Sequence, residues 1–590
     1  MTGTRVSVVR TGLTILVALA LASCAKPPNS AYDNPEGVTN AAAASLPVGL
    51  NTAGESCSIQ RSGNSADVYC GSWDQPSAHV QNGAAAAAAD LPGLATTSAW
   101  RGALDGSYAC NASNATTILD GVPAEVLACT QRFGGWPHVA LVSVINGTAY
   151  YADGVLPALP PMQRAIGVMS GRIAPSDAGQ TPVAASDQIL AQRLAAQAFS
   201  SGDIGHYEAL MALGTKANQE ENFPAAVIAY RAALALQQKK IGLDNPGTIA
   251  PMLELALNLS DQAQYPQAAS MFAAVAKLVP ESSDPTAPAK LLHYEGLDQL
   301  NQNHPAQALA LLRQAESLYA ALLPPELLQA QPVENTNEAL SNISAQPGTG
   351  GLMAAQVTLN SPVTQSALLG VIETWRYQAI ALNASGDKAG GAQAMATADQ
   401  IAQANDIAPP MLSARLNRTN GALAVTLGQT GAAADYLQGA AVDFATAIPG
   451  SRPVAETALL QAAVLHDAKN DTAALASCRN GIGLLKTLQL GTSAALIGPC
   501  LDVFAAVAAA DQADAQALHG EMFEAAELAQ GSVTAQEIAA AAARLSTSSS
   551  DPKVANAIRL QQDAQASLVR LYQQRDELTH APGANGAAAA

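Results

Sequence analysis

Cysteines and histidines are the residues of this chain whose types could support covalent or metal chemistry. The sequence holds seven cysteines and eight histidines. His466 lies twelve residues before Cys478, but no third polar group accompanies them, which disfavours a Cys-His nucleophile. The strings G-x-x-x-x-G-K-[ST], G-x-S-x-G, H-E-x-x-H and C-x-x-C do not occur. The sequence therefore predicts no catalytic residue, no metal site and no cofactor, and we do not expect the chain to be an enzyme.

One cysteine stands apart from the other six. Cys24 follows a short apolar run, Leu13 to Ala22, which is preceded by Arg5 and Arg10. A positive segment, an apolar segment too short to remain as a membrane span, and small residues before a cleavage site are typical of a signal peptide. We therefore expect residues 1–23 to be removed and the chain to be exported.

The residues around Cys24 resemble the lipobox of bacterial lipoproteins. The string Leu-Ala-Ser-Cys ends at Cys24 and directly follows the apolar run. The resemblance implies that the Cys24 thiol is acylated, with chains such as palmitate, and that these chains anchor the protein to a membrane of the cell envelope. Ala25 stands where inner-membrane lipoproteins usually have Asp, which implies the periplasmic face of the outer membrane. The alternative is an ordinary secretory signal, with Cys24 left as a free thiol.

The remaining six cysteines fall into three pairs of sequence neighbours. In an oxidising compartment an even number of cysteines indicates disulfides. The simplest connectivity joins Cys57 to Cys70, Cys110 to Cys129, and Cys478 to Cys500. Other connectivities, and buried free thiols, stay open at this point.

The amino-acid composition limits the possible fold classes and the possible kinds of partner. The chain has 590 residues, of which 49% are hydrophobic and 13% charged, and this excludes a mostly disordered protein. The net charge of -18 disfavours nucleic acid as a partner, because its phosphates would be repelled. An acidic surface instead favours basic or apolar partner segments. Low aromatic content, 4%, with abundant alanine favours closely packed helices, so we predict a mainly α fold.

The first part of the exported chain has a different character from the rest. Residues 24–47 are rich in Pro, Asn and Ala and are predicted to form a flexible tether. Residues 48–172 contain β-rich runs broken at Gly63-Asn64, Gly134-Gly135 and Asn146-Gly147, which are hairpin signals. Together with an alanine-rich stretch, these runs predict a small α+β domain that contains the first two cysteine pairs.

From residue 186 to about 545 the pattern is helical and repeats about every 42 residues. Small residues are required where paired helices cross, because a larger side chain would push them apart. In the second helix of each unit they are Ala226, Ala268, Ala308, Gly391 and Ala433, with Leu475 and Ala517 in the same phase. Arg479 and Glu521 then fall where a large apolar residue is expected, so the last two units match poorly. A loop or degenerate unit is predicted near 325–362, where proline and glycine cannot hold a helix.

This repeat resembles the tetratricopeptide family. The segment ALMALGTKANQEENFPAAVIAYRAALAL matches its pattern, and Ile241 to Pro246 resembles the connector of the longer, kinesin-light-chain-like repeats, with Asn245 in place of a histidine. The resemblance implies an α-solenoid in which the first helix of each unit lines a groove for a protein or peptide ligand. It places four groove-facing residues at one position of successive units: Asn218, Ser260, Leu300 and Asn383.

Two segments follow the repeats. Residues 548–578 predict a long amphipathic helix, and residues 579–590 a disordered tail. The whole order of lipobox, cysteine-containing domain, repeats and final helix resembles bacterial tetratricopeptide lipoproteins that carry a caspase-like CHAT domain. The resemblance implies two hypotheses: a membrane-anchored envelope scaffold that binds a protein or peptide, or the regulatory portion of a CHAT-type peptidase whose catalytic domain is absent from this chain. No oligomeric state is predicted.

Overall fold

The structure is a computed structural model that describes residues 45–178, 199–328, 361–510 and 514–529. Several predicted segments lie outside the described residues: the signal peptide, Cys24, nearly all of the tether, most of the loop near 325–362, the helix at 548–578 and the tail. Within the described residues the chain is mainly helical. An antiparallel sheet domain comes first, and a stack of helices follows it.

The N-terminal domain is built on an antiparallel sheet. Its described strands are β1 (Leu46–Leu50), β2 (Ser56–Ser62), β3 (Ser65–Cys70), β4 (Ala78–Ala85), β5 (Tyr108–Cys110), β6 (Asn114–Ile118), β7 (Val122–Gln131), β8 (Pro137–Ile145) and β9 (Thr148–Val155). They pair in the order β1-β2-β3-β4-β9-β8-β7, and β5 and β6 both pair with β7. The predicted hairpin signals lie at strand connections. Asn146 and Gly147, between β8 and β9, both have positive φ (53° and 78°), as a tight two-residue hairpin turn requires.

Helices cover both faces of this sheet. One face packs against α3 (Leu159–Met169) and uses Val139 and Leu141 of β8. The other face packs against α1 (Leu91–Thr97) and α2 (Ala99–Ser107) and uses Ala140 and Val142 of the same strand. Because successive side chains of a strand point to opposite faces, β8 contributes to two separate cores.

Seven helix hairpins follow among the described residues, each made of two consecutive helices. Hairpin 1 is α4 (Ser201–Gln219) with α5 (Phe223–Ile241), hairpin 2 is α6 (Ile249–Asp261) with α7 (Tyr265–Leu278), hairpin 3 is α8 (Ala287–Asn301) with α9 (Pro305–Ala320), hairpin 4 is α10 (Pro362–Ala384) with α11 (Lys388–Ala404), hairpin 5 is α12 (Pro410–Thr426) with α13 (Thr430–Ala447), hairpin 6 is α14 (Arg452–Asp467) with α15 (Asp471–Leu488), and hairpin 7 is α16 (Ala494–Ala510) with α17 (Ala515–Leu528). Neighbouring hairpins pack against each other along the stack.

Hairpins 1 to 6 share one turn geometry. Their helices are joined by a three-residue loop whose middle residue has a φ between 56° and 90°: Glu221, Ala263, Asn303, Gly386, Gly428 and Lys469. The next residue donates its backbone N–H to the carbonyl five residues back, as from Asn222 to Ala217 at 2.8 Å. This left-handed cap ends the first helix and fixes where the second begins. The six hairpins therefore repeat the same local structure.

The two helices of a hairpin cross at paired small residues. Gly214, Ala256, Gly296, Ala379, Gly421 and Ala462 of the first helices are buried against the second helices. A Cβ on Gly421 would lie 2.7 Å from Cγ of Leu437, and one on Gly214 would lie 2.5 Å from the Tyr230 ring. The predicted small residues of the second helices are confirmed at Ala226, Ala268, Ala308 and Ala433, which have no exposed surface.

The predicted phase of the last two units is wrong by one residue. The buried residue of α15 at this position is Ala474, with no exposed surface, whereas Leu475 is half-buried; in α17 it is Leu518, whereas Ala517 is exposed. The two shifts run in opposite directions, because Ala474 comes 41 residues after Ala433 and Leu518 comes 44 residues after Ala474. A constant spacing of about 42 residues, extended from the earlier units, cannot show such changes.

The corrected phase explains Cys478 and Arg479. Cys478 takes the position that Tyr230, Phe272, Leu312, Met395 and Leu437 hold in hairpins 1 to 5, and it is fully buried. Arg479 lies on the surface, where its guanidinium pairs with Glu521 of hairpin 7 at 2.7 Å. The Cys478 sulfur therefore takes the place of the large apolar side chain that was expected at position 479.

The six described cysteines form three disulfides between sequence neighbours. Cys57–Cys70 joins directly opposed residues of β2 and β3, and Cys110–Cys129 does the same for β5 and β7. Cys478–Cys500 joins α15 of hairpin 6 to α16 of hairpin 7. The third bridge therefore links two consecutive hairpins, and the first two lie within the sheet domain.

The sheet domain packs directly on hairpins 1 and 2. Trp136, just before β8, contacts Phe199 and Tyr207, with ring centroids 5.0 and 5.6 Å apart. Gly135 lies so close to Gly247, in the connector after hairpin 1, that a Cβ on it would be 2.0 Å from the Gly247 Cα. The connector between hairpins 1 and 2 is thus a docking point for the β7–β8 turn.

Two glycines of hairpin 5 give a matched stability test. Gly421→Ala should lower the free energy of unfolding by about 1–3 kcal/mol, because the new methyl group overlaps Leu437. Gly431→Ala, in the exposed first turn of α13 where a Cβ meets nothing within 4 Å, should change it by less than about 0.5 kcal/mol. Urea unfolding followed by circular dichroism measures both. Equal effects of the two substitutions would contradict the crossing geometry.

Candidate functional site

A cavity of about 570 Å³ lies along the first helices of the hairpins. Its lining residues come mainly from α4, α6, α8, α10 and α12: Asn218, Gln219, Leu257, Asp261, Leu297, Leu300, Asn301, Arg376, Tyr377, Ile380, Asn383, Arg415, Arg418, Thr419, Ala422 and Leu423. Hairpins 6 and 7 contribute Pro453, Leu460 and Leu496. One surface is thus assembled from helices spread over most of the stack.

The stack curves enough to bring hairpin 1 to hairpin 5. Arg418 of α12 places Nη1 3.1 Å from Oε1 of Glu221, which lies in the turn of hairpin 1 and is 197 residues away in sequence. The same guanidinium lies 3.5 Å from Glu456 of α14. Both Arg418 and Glu221 line the cavity, so this ion pair closes one side of it.

The structure brings together three of the four predicted groove residues. Asn218, Leu300 and Asn383 all line the cavity. Ser260 does not, because it is only 1% exposed and its hydroxyl oxygen accepts a hydrogen bond from Nδ2 of Asn301 at 3.1 Å. The neighbouring residue, Asp261, faces the cavity instead.

An apolar strip in the cavity was not predicted. Leu257, Leu297, Ile380 and Ala422 occupy one position of α6, α8, α10 and α12, and each lines the cavity. The sequence contained a signal for them, because each follows the small residue at the helix crossing by one position. An apolar residue recurs there although the crossing itself does not require it. Sequence reasoning followed one family position and did not compare the others.

Glu373 balances one of the two arginine charges on the basic part of the cavity wall. Arg376 is 7% exposed, and its guanidinium lies 2.6 Å from Oε2 of Glu373, while Arg415 lies 3.4 Å from the other carboxylate oxygen. Burial alone would raise the pKa of Glu373, but the charges of Arg376 and Arg415 lower it to about 2. Both arginines therefore face a carboxylate that stays ionised.

The wall formed by α6 and α8 is acidic and lacks such pairing. Burial raises the pKa of Asp261 to about 7, against a hydrogen bond from Nδ2 of Asn301 at 2.9 Å. The nearby charges of Glu221, Glu254 and Asp298 raise it further. Burial also raises the pKa of Glu254, whose Oε1 accepts a hydrogen bond from the Tyr294 hydroxyl at 2.8 Å.

Cys478 and His466 have structural partners, and His293 is packed among aromatic rings. Cys478 is in a disulfide, and Nδ1 of His466 lies 2.6 Å from Asp471, so these two do not form a dyad. His293 is buried among Tyr294, Tyr319 and Tyr377, and burial lowers its pKa to about 4. Over the described ranges, no group of three or more His, Cys, Asp or Glu side chains is arranged to hold a metal ion.

No model of a known protein family matches this sequence, and no curated protein is significantly similar to it. The cavity is therefore interpreted from its own residues.

The raised pKa of Asp261 predicts how stability depends on pH. The folded state keeps a proton up to about pH 7, whereas the unfolded chain releases it near about pH 4. The stability contributed by this proton is complete below pH 4 and is lost as pH rises through 7. We expect Asp261→Asn to flatten the decline of the melting temperature between pH 4 and 7, measured by circular dichroism. Asp406→Asn, in a distant connector, should keep the wild-type slope, and an unchanged slope for Asp261→Asn would contradict the assignment.

Proposed function

We propose that this protein is a lipid-anchored cell-envelope scaffold of the tetratricopeptide type, which binds a protein or peptide segment in the cavity along its first helices. The observation that carries the proposal is the cavity itself. Five successive hairpins supply its wall from equivalent helices, as expected of a ligand groove in a stacked-repeat protein.

The size and chemistry of the cavity suit a short segment of chain. A volume of about 570 Å³ lies within the ~300–1,000 Å³ typical of ligand pockets, which accommodates a few side chains rather than a folded domain. The apolar strip offers burial to aliphatic or aromatic side chains, and the amides of Asn218, Asn301 and Asn383 offer hydrogen bonds to a peptide backbone.

Export and anchoring rest on the sequence around Cys24. A lipid on that residue would hold the folded body near the membrane through the tether at 24–47. Three disulfides in the folded body are typical of proteins that mature in an oxidising compartment. Among the helices that the structure describes, none has the length and apolarity needed to cross a bilayer.

The regulatory role in a CHAT-type peptidase is the alternative hypothesis, and it rests on the resemblance alone. It shares the anchor and the groove with the scaffold hypothesis and differs in what binding would control. A ligand bound in the groove would then be a signal for cleavage rather than an assembly partner.

Capture from envelope extract with the full-length lipidated protein tests the scaffold proposal. Ile380→Arg places a charge on the apolar strip, and Ala422→Trp fills the same strip without charge. Both should lose the proteins that the wild type retains. Val442→Arg, at a position 55% exposed on α13, is the matched control and should retain them. Retention of the same proteins by both cavity variants would refute the proposal, and recovery of the chain in the soluble fraction, with no change on Cys24→Ser, would refute the anchor.

A further inference from the structure

The last described helix ends beside the cavity. α17 ends at Leu528, whose carbonyl oxygen accepts a hydrogen bond from the backbone N–H of Thr492 at 2.9 Å. Leu496, four residues after Thr492, lines the cavity. The Thr492 hydroxyl also donates to Oε1 of Glu456 at 3.1 Å, and Glu456 lies 3.5 Å from Arg418 of the cavity wall. The chain therefore leaves the described structure next to the cavity.

The sequence that continues from this point contains an apolar pattern that needs a partner surface. Residues 548–578 are predicted above to form an amphipathic helix. A helical period would bring Val554, Ile558, Leu568 and Leu571 to one side, which we call the apolar side of the segment. A helix of this kind gains most of its stability when its apolar side packs against another surface.

The cavity offers such a surface close to the exit of the chain. Hairpins 6 and 7, where the described chain ends, line the cavity with the apolar residues Pro453, Leu460 and Leu496. The apolar strip defined above continues from there along the first helices. Residues 530–547 separate the last described helix from the segment, and these 18 residues span about 27 Å as a helix and about 60 Å when extended. The segment can therefore reach the strip.

The charges of the segment do not oppose this contact. Residues 548–578 contain equal numbers of basic and acidic side chains: Lys553, Arg559, Arg570 and Arg575 against Asp551, Asp563, Asp576 and Glu577. The cavity wall also carries both signs, since Arg376 and Arg415 share Glu373, and Arg418 lies between two glutamates. A segment without net charge can bring its apolar side to the strip without meeting a repelling charge.

We propose that residues 548–578 bind in the cavity of their own chain, with their apolar side on the strip formed by Leu257, Leu297, Ile380 and Ala422. This inference rests on the proposed function and adds regulation to it, because an external protein segment must displace the internal one. A segment held by a short linker competes at an effective concentration of about 1 mM. The internal segment therefore lowers the affinity for every external partner.

A synthetic peptide tests the inference on the full-length protein. The probe is a fluorescently labelled peptide with the sequence of residues 548–578, and its binding is followed by fluorescence anisotropy. Leu568→Glu with Leu571→Glu, introduced into the protein, places charges on the apolar side of the internal segment and frees the cavity. We expect this variant to bind the peptide at least about tenfold more tightly than the wild type does. Ile380→Arg, added to the same variant, should abolish that binding.

A matched control keeps the charge change and moves it to the opposite side of the segment. Gln562→Glu with Gln573→Glu adds the same two negative charges, and a helical period places both residues away from the apolar side. This variant should bind the peptide as weakly as the wild type. Size-exclusion chromatography should give the same monomeric size for all these variants, because the proposed contact lies within one chain.

Four binding results would overturn the inference. They are equal affinity of the wild type and the Leu568 and Leu571 variant, tighter binding by the control, binding that survives Ile380→Arg, and no binding of the peptide to any variant. A wild-type dimer that the Leu568 and Leu571 variant converts to a monomer would also overturn it, because the occupant would then come from a second copy.

Capture from envelope extract separates this failure from that of the proposed function. The Leu568 and Leu571 variant should retain several times more of the captured proteins than the wild type, and Ile380→Arg should retain none of them. Equal capture by the wild type and the Leu568 and Leu571 variant, with loss on Ile380→Arg, removes only the internal occupant and leaves the groove in place. Capture that Ile380→Arg does not reduce removes the proposed function as well.

Discussion

The close approach of paired helices at small residues is the constraint on which the rest of the structure depends. Gly214 against Tyr230 and Gly421 against Leu437 leave no room for a methyl group, so the crossing of each pair is fixed by atoms in contact. The left-handed residue at each turn fixes the same hairpins from their ends. Stacking units of nearly equal geometry produces a regular curve, and the contact between Glu221 and Arg418 shows how far that curve turns.

The curvature of the stack determines which side chains meet on its inner surface. Charged residues of separate hairpins are brought together there, and most of them satisfy one another, as Glu373 does with Arg376 and Arg415. A partly buried ion pair is costly to break, because the group left behind has lost water without keeping a partner. Asp261 of α6 differs from these pairs, because it lines the cavity with a hydrogen bond from Asn301 and without a cation of the described residues within ion-pair distance. The cavity therefore combines an apolar strip with arginines and carboxylates from several hairpins.

Local features could be predicted from the sequence, and distant ones could not. The hairpin turn at Asn146-Gly147 and the small residues at Ala226 and Ala268 depend on residues close in sequence, and the structure confirms them. The phase of hairpins 6 and 7 was missed because the spacing of their buried residues departs from 42, first to 41 and then to 44 residues, and an average period does not show such changes. The partner of Arg418 was missed because it lies 197 residues away, where only the accumulated curvature of four hairpins determines which residues meet. Ser260 shares a repeat position with Asn218, but a neighbouring asparagine covers it.

Chemical cross-linking across the curve tests the central claim most directly. Arg418→Lys keeps the positive charge and introduces an amine that a zero-length carbodiimide can condense with a contacting carboxylate. If the stack curves so that hairpin 5 meets hairpin 1, mass spectrometry of the digested monomer will find an amide between position 418 and Glu221. If position 418 is linked only to Glu456 of the adjacent hairpin, or not linked at all, the cavity is not closed by hairpins 1 and 5, and the account of the binding site is wrong.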